Sequence, residues 1–210
     1  MVKTMAALIL DKSGSMYKIA NAARKNFNEQ LQVLKRESKD PDVQTKISVF
    51  TFNDTVKVID FDVDADKISE ITEEEYNPDG MTALFDAIGL AISKFEDTYT
   101  LDDETGVLFT IITDGLENRS QEYAGEEGRE KLKKKIEDLK NTGKWTFTFM
   151  GTDLALDQAK DLGIDNTMQF VASVQGIKDA HDRHNLATSS YYSTRKTSKK
   201  TMVDNFYDSK

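Results

Sequence analysis

The sequence contains no cysteine, and it has fewer basic than acidic residues. Without cysteine, the chain can form neither a disulfide bond nor a thiolate metal site. Its 37 acidic residues outnumber its 28 basic ones, which gives a formal net charge of −9 at pH 7. This charge argues against a nucleic-acid backbone as the main partner and is compatible with the binding of a cation.

The sequence also lacks any apolar run long enough to cross a membrane. Residues Met1–Thr4 lead directly into a strand-like segment, with no apolar core or cleavage site of a signal peptide. We therefore expect a cytoplasmic protein without a membrane partner. With 210 residues, 38% of them hydrophobic, the chain is long enough for one buried core, and no internal repeat is visible.

The most informative stretch joins an apolar run to several oxygen-bearing side chains. Ala6–Leu10 is continuously apolar, which is typical of a strand buried on both faces of a parallel sheet. Asp11, Ser13 and Ser15 then alternate with other residues, and Gly14 allows a sharp turn. Such hard oxygen donors at the end of a core strand suit Mg²⁺ or Mn²⁺. They could equally cap the following helix, and the short motif by itself does not exclude this.

The rest of the chain alternates strand-like and helical segments. Helical spacing runs from Tyr17 to about Ser38, and two β-rich segments separated by Asn53-Asp54 predict an antiparallel hairpin. Strands and helices then alternate as far as about Ser190. This pattern predicts a doubly wound α/β fold with a mostly parallel six-stranded sheet and helices on both faces. We expect one antiparallel edge strand and the strand order 3-2-1-4-5-6.

This strand order would bring two aspartates together. Asp11 ends the first strand and Asp114 ends the fourth, and these strands are neighbours at the switch point where open α/β sheets bind ligands. Thr82, which starts a helix after a turn-rich segment, adds a hydroxyl at the same edge. The predicted metal site, drawn from three separated loops, comprises Asp11, Ser13, Ser15, Thr82 and Asp114.

The three-part pattern resembles the metal-ion-dependent adhesion site of von Willebrand factor type A (vWA) domains. The matching segments are Asp11–Ser15, Gly80–Leu84 with Thr82, and Thr113–Gly115 with Asp114. The resemblance implies a vWA domain over residues 1–190, of the type found in cytosolic proteins of bacteria and phages. Residues 191–210 would follow as a polar, locally basic tail, which we expect to be loosely packed.

By this resemblance, the protein would be a metal-dependent adaptor that binds another protein and has no enzymatic activity. Ser13, Ser15 and Thr82 would hold Mg²⁺ or Mn²⁺ directly, and the two aspartates would hold it mostly through water. A carboxylate from the partner protein would complete the coordination. Neutral hydroxyl ligands suit this role because they leave much of the charge of the cation uncompensated.

Two alternatives stay open. Asp11–Ser15 also resembles the phosphorylation loop of haloacid-dehalogenase-like phosphotransferases, in which Asp11 would be the nucleophile. Such enzymes need a lysine that faces the phosphate and a paired-acid motif, and the sequence supplies neither clearly. In the other alternative, the protein is a structural or assembly component whose metal only stabilises the fold.

Overall fold

The computed structural model describes residues 1–198 and 200–208. The strands are β1 (Val2–Asp11), β2 (Val43–Phe52), β3 (Val56–Asp64), β4 (Thr105–Thr113), β5 (Trp145–Gly151) and β6 (Asn166–Gln169). The helices are α1 (Ala20–Glu37), α2 (Leu84–Thr98), α3 (Gly125–Asn141), α4 (Asp153–Asp161) and α5 (Val174–Ser198). A short 3₁₀ helix over Gly14–Ile19 precedes α1.

The predicted sheet topology is confirmed. The six strands lie in the order β3-β2-β1-β4-β5-β6. The β2–β3 pair at one edge is antiparallel, and all other pairs are parallel. Every residue of β4 is buried, as is every residue of β5, which agrees with the near-continuous apolar character expected of strands covered on both faces.

Two hydrophobic cores form because successive side chains of a strand point to opposite faces. Leu8 and Leu10 of β1 pack on the side of α1 and α5. Ala7 and Ile9 pack on the other side, together with the apolar faces of α2, α3 and α4. Within the described ranges, no helix is both long and apolar enough to serve as a membrane span.

The segment after residue 190 is packed more tightly than the sequence suggests. Helix α5 continues without interruption to Ser198, and Tyr191, Tyr192 and Arg195 are buried. Farther on, Phe206 is fully buried in the core on the α1 side. The expectation of loose packing is therefore wrong for these residues, because isolated aromatic side chains in a polar segment supply enough apolar area to dock it. Residues 199, 209 and 210 of the predicted tail lie outside the described residues.

The strand register brings the carboxyl ends of the parallel strands together. Leu10 of β1 pairs with Ile112 of β4, and Thr113 pairs with Gly151 of β5. Gly151 pairs in turn with the last residue of β6. The loops that follow these strands consequently share one edge of the sheet, which we call the carboxyl edge.

Candidate metal centre

The first loop of the site is shaped by hydrogen bonds from its own backbone and from two other segments. The Ser13 amide donates to Asp11 Oδ1 over 2.6 Å, which turns the chain immediately after β1. The Tyr76 hydroxyl donates to the Asp11 carbonyl over 2.8 Å. The Gly14 amide donates to the Gly80 carbonyl over 3.0 Å, which brings the loop preceding Thr82 against the first loop.

Thr82 is held between two loops. Its amide donates to Asn118 Oδ1 over 2.9 Å, and the Asn118 amide donates back to the Thr82 carbonyl over 3.0 Å. On the other side, the Met81 amide donates to Asp54 Oδ2 over 3.0 Å. Gly80 has φ +77°, and a Cβ there would lie 1.9 Å from the Asp54 carboxylate, so this position requires glycine. Thr82 therefore has a fixed backbone position.

A chain of short contacts links the two serines to the second aspartate. Ser13 Oγ lies 3.1 Å from Ser15 Oγ. Ser15 Oγ in turn donates to Asp114 Oδ1 over 2.5 Å. The loops after β1 and β4 thus meet through side chains that the sequence predicted to share one site.

The space beside Gly115 shows that the other predicted groups converge on the same place. A Cβ built on Gly115 would lie 3.2 Å from Thr82 Oγ1 and 3.3 Å from Ser15 Oγ. Asp11 Oδ2 would be 3.7 Å away from the same point. The structure therefore brings together all five residues proposed from the sequence, and Gly115 leaves the space between them free of a side chain.

Asp11 carries the most unusual electrostatic environment of the cluster. Its side chain is 0% exposed, and burial raises the pKa of its carboxyl to about 6, against the opposing hydrogen bonds from Thr113 and Ser13. Burial also raises the pKa of Asp114, which donation from Ser15 partly offsets. Neither carboxylate forms an ion pair with a lysine, arginine or histidine in the part of the chain that the structure describes.

This donor set fits a hard divalent cation. Two carboxylates and three hydroxyls offer oxygen atoms only, which Mg²⁺ and Mn²⁺ prefer. Over residues 1–198 and 200–208, no three His, Cys, Asp or Glu side chains are grouped as a metal site. Any metal at the cluster would therefore depend on its hydroxyls as well as on its two carboxylates.

Sequence reasoning assigned no role to Thr113 or Tyr76. Thr113 Oγ1 donates to Asp11 Oδ2 over 2.5 Å, and Tyr76 supports the Asp11 carbonyl from a buried position. The β1–β4 register places Thr113 next to Asp11, but this register is not encoded in either strand alone. Nothing in the sequence indicated the role of Tyr76 except its position in a turn-rich segment.

Two further acidic residues near the site serve the loops rather than the cluster. Glu117 accepts hydrogen bonds from the amides of Phe85, Arg119 and Ser120. Asp86 accepts hydrogen bonds from the amides of residues 121 and 123. These carboxylates fasten the segment after β4 to the start of α2.

The sequence matches no protein-family profile and no curated protein sequence. The fold is similar to the PilB minor pilin from Streptococcus sanguinis, with a TM-score of 0.65 and 11% identity over 91% of this chain and 62% of that one. A von Willebrand factor type A protein from Catenulispora acidiphila gives a TM-score of 0.60 and 14% identity over 89% of this chain and 43% of that one.

The pilus adhesin SpaC from Lactobacillus rhamnosus GG, in its open conformation, has a TM-score of 0.65 and 11% identity. The similarity covers 91% of this chain and 30% of the adhesin. The chain thus spans less than two thirds of the length of each of these three proteins. At such low sequence identities, these structural similarities show the fold alone, which is similar to that of a vWA domain.

Proposed function

We propose that this chain is a protein-binding module whose binding depends on Mg²⁺ or Mn²⁺ at the five-residue cluster. The observation that best supports the proposal is the buried Asp11 carboxylate, which has no cationic partner among the described residues. A second carboxylate and three hydroxyls converge on the same space. A divalent cation would neutralise the pair of carboxylates, which are otherwise costly to bury in the ionised form.

Each side chain would have a distinct part in this function. Ser13, Ser15 and Thr82 would offer neutral oxygen ligands, and the two aspartates would supply the negative charge. Asp11 would also orient Ser13, whose amide it binds. When bound, the cation would supply a Lewis-acidic position for an anionic oxygen, and a carboxylate on a partner protein is the ligand of that chemistry.

The geometry does not favour Asp11 as the nucleophile of a phosphotransferase. The side chain is fully buried, and each carboxylate oxygen accepts a hydrogen bond from the protein. Attack on a phosphate would require one of these oxygens to be free and accessible. The remaining alternative is a metal that only stabilises the fold. In that case the affinity for the partner would be the same with and without the metal.

The proposal includes a cytoplasmic location and an adaptor role. The fold is also similar to part of a minor pilin and part of a pilus adhesin, so an extracellular location is the alternative. Fractionation of the source organism, followed by immunoblotting, separates the two. Recovery of the protein in the cytosolic fraction agrees with the proposal, and recovery in the surface or culture fraction contradicts this part of it.

The function itself is tested by affinity purification from lysate of the source organism. Wild-type protein and Asp11→Asn serve as baits, each in Mg²⁺ and in EDTA, and mass spectrometry identifies the retained proteins. We expect at least one protein to be retained only by the wild type in Mg²⁺. The same retained set under all four conditions would contradict metal-dependent binding.

A further inference from the structure

Exposed apolar side chains are concentrated at the edge that holds the candidate metal centre. Nine large apolar side chains are exposed among the described residues. Six of them follow the carboxyl ends of strands or belong to the loop of Thr82: Tyr17, Met81, Leu116, Leu154, Val171 and Val174. Single exposed apolar residues are normal, but a concentration around one site is typical of an interaction surface.

Two of these side chains line a groove beside the cluster. The groove has a volume of about 500 Å³ and lies between the 3₁₀ helix, the segment before Thr82 and the start of α5. Tyr17, Pro78 and Val174 form its apolar part, beside polar lining residues such as Lys18 and Glu73; Tyr17 and Val174 are 71% and 63% exposed. Its volume lies within the range of pockets that bind small ligands.

The groove is joined to the metal centre through one residue. Tyr76 lines the groove, is 2% exposed, and donates its hydroxyl to the Asp11 carbonyl. The groove therefore adjoins the segment that carries Asp11. Tyr17 lies two residues after Ser15, which also keeps the two sites adjacent in the chain.

Two lysines add positive charge beside the cluster, at an edge that also carries the acidic residues Glu73 and Asp79. Lys12 and Lys18 flank the first loop, and neither forms an ion pair within residues 1–198 and 200–208. Glu73, which also lines the groove, has Arg24 at 3.9 Å. Glu117, in the loop after β4, accepts hydrogen bonds from backbone amides.

We propose that the groove of Tyr17, Pro78 and Val174 binds a large apolar side chain of the partner segment whose carboxylate binds at the metal centre. The recognition element is an acidic residue with an aromatic or aliphatic residue a few positions away. This inference rests on the proposed function and specifies the partner. A carboxylate alone is common to most protein surfaces, so burial of the apolar side chain supplies the discrimination.

The test uses a phage-displayed library of short, disulfide-closed peptides with fully randomised loops. The full chain is immobilised in Mg²⁺, and the enriched peptides are sequenced. Parallel selections use Tyr17→Ser/Val174→Ser, Asp11→Asn, and the control Leu186→Ser. Leu186 is 73% exposed and lies in the middle of α5, so it matches Tyr17 in exposure but not in position.

We expect wild type and Leu186→Ser to enrich peptides with one Asp or Glu and a nearby large apolar residue. The groove variant should keep the acidic preference and lose the apolar one. An acidic preference without an apolar one on wild type, or an apolar preference unchanged in the groove variant, would overturn the groove inference and leave the proposed function intact. No enrichment, or enrichment that is equal on Asp11→Asn, would overturn both.

Affinity measurements with one enriched peptide show how much the groove contributes to binding. Loss of the groove contacts should weaken binding about tenfold or more, which corresponds to about 1.4 kcal/mol. Tyr17→Phe keeps the aromatic ring and should bind the peptide as wild type does. Equal affinities for wild type and the groove variant would contradict the inference.

Discussion

Thr113, the last residue of β4, donates a hydrogen bond of 2.5 Å to the buried carboxylate of Asp11, the last residue of β1. The bond joins the two central strands at the point where the loops of the candidate site diverge. Together with the Ser13 amide, it gives each oxygen of Asp11 one protein donor. Asp11 is therefore held in one orientation before any cation binds, which reduces the cost of ordering the site.

Thr113→Val should weaken both the fold and cation binding. The substitution keeps the shape of the side chain but leaves a buried carboxylate oxygen without its donor, at a cost of about 1–3 kcal/mol in the free energy of unfolding. Urea denaturation measures this cost. Thr51→Val is the matched control, because the Thr51 hydroxyl is buried with no hydrogen-bond partner. Equal effects of the two substitutions would show that the Thr113 bond contributes nothing.

Mg²⁺ should stabilise the folded protein. At a concentration one hundredfold above the dissociation constant, a cation that binds only the native state adds about 2.7 kcal/mol. For a domain of this size, that corresponds to a rise in Tm of about 5–10 °C in a thermal melt. Asp11→Asn should abolish the rise, and Asp103→Asn, at a fully exposed position, should preserve it. A Tm that does not respond to Mg²⁺ in the wild type would refute this prediction.

Acid should destabilise the protein partly through His181. Burial lowers the pKa of this histidine to about 4 in the folded chain, from 6.5. Between these two values the unfolded chain binds a proton that the folded chain does not, so the free energy of unfolding falls as the pH falls. The stability is fully present above about pH 6.5, and up to about 3 kcal/mol is lost by pH 4.

The variant His181→Leu isolates this contribution. Both proteins are denatured with urea across pH 4–7. As the pH falls, the free energy of unfolding should decrease more in the wild type than in His181→Leu. Leu186→Ala, on the exposed side of the same helix, should follow the wild-type pH dependence. A difference between wild type and His181→Leu that does not change with pH would exclude His181 as the source.

Arg195 should prove essential for docking the end of α5. Its guanidinium is 1% exposed and donates to the carbonyls of Lys3 and Glu104, each over 2.7 Å. Arg195→Met would remove both of these hydrogen bonds, although the Glu104 carbonyl keeps the Lys3 amide as a donor, and should cost about 2–4 kcal/mol in the free energy of unfolding. Arg183→Met, at an exposed position of the same helix, should change stability by less than about 0.5 kcal/mol. Equal stabilities of the two variants would contradict a docking role.

The sequence predicts the sheet order and the site through features that are local to each segment. The apolar run before Asp11 and the matching run before Asp114 mark two core strands, and the alternation of elements sets their neighbours. The support of Asp11 by Tyr76 depends on a contact across 65 positions, which no local pattern records. The sequence did not predict the buried end of α5, because an arginine in a polar segment is typical of a solvated surface. In the structure, Arg195 binds backbone carbonyls at the amino-terminal ends of β1 and β4.

The central claim, a divalent-cation site at the carboxyl edge, is tested most directly by crystals grown with Mn²⁺, whose anomalous scattering locates the ion. The account predicts one strong anomalous peak among the side-chain oxygens of the cluster. That peak should be absent from crystals of Asp11→Asn grown under the same conditions. A fully occupied peak elsewhere in the molecule, or no peak at the cluster at a saturating Mn²⁺ concentration, would contradict it.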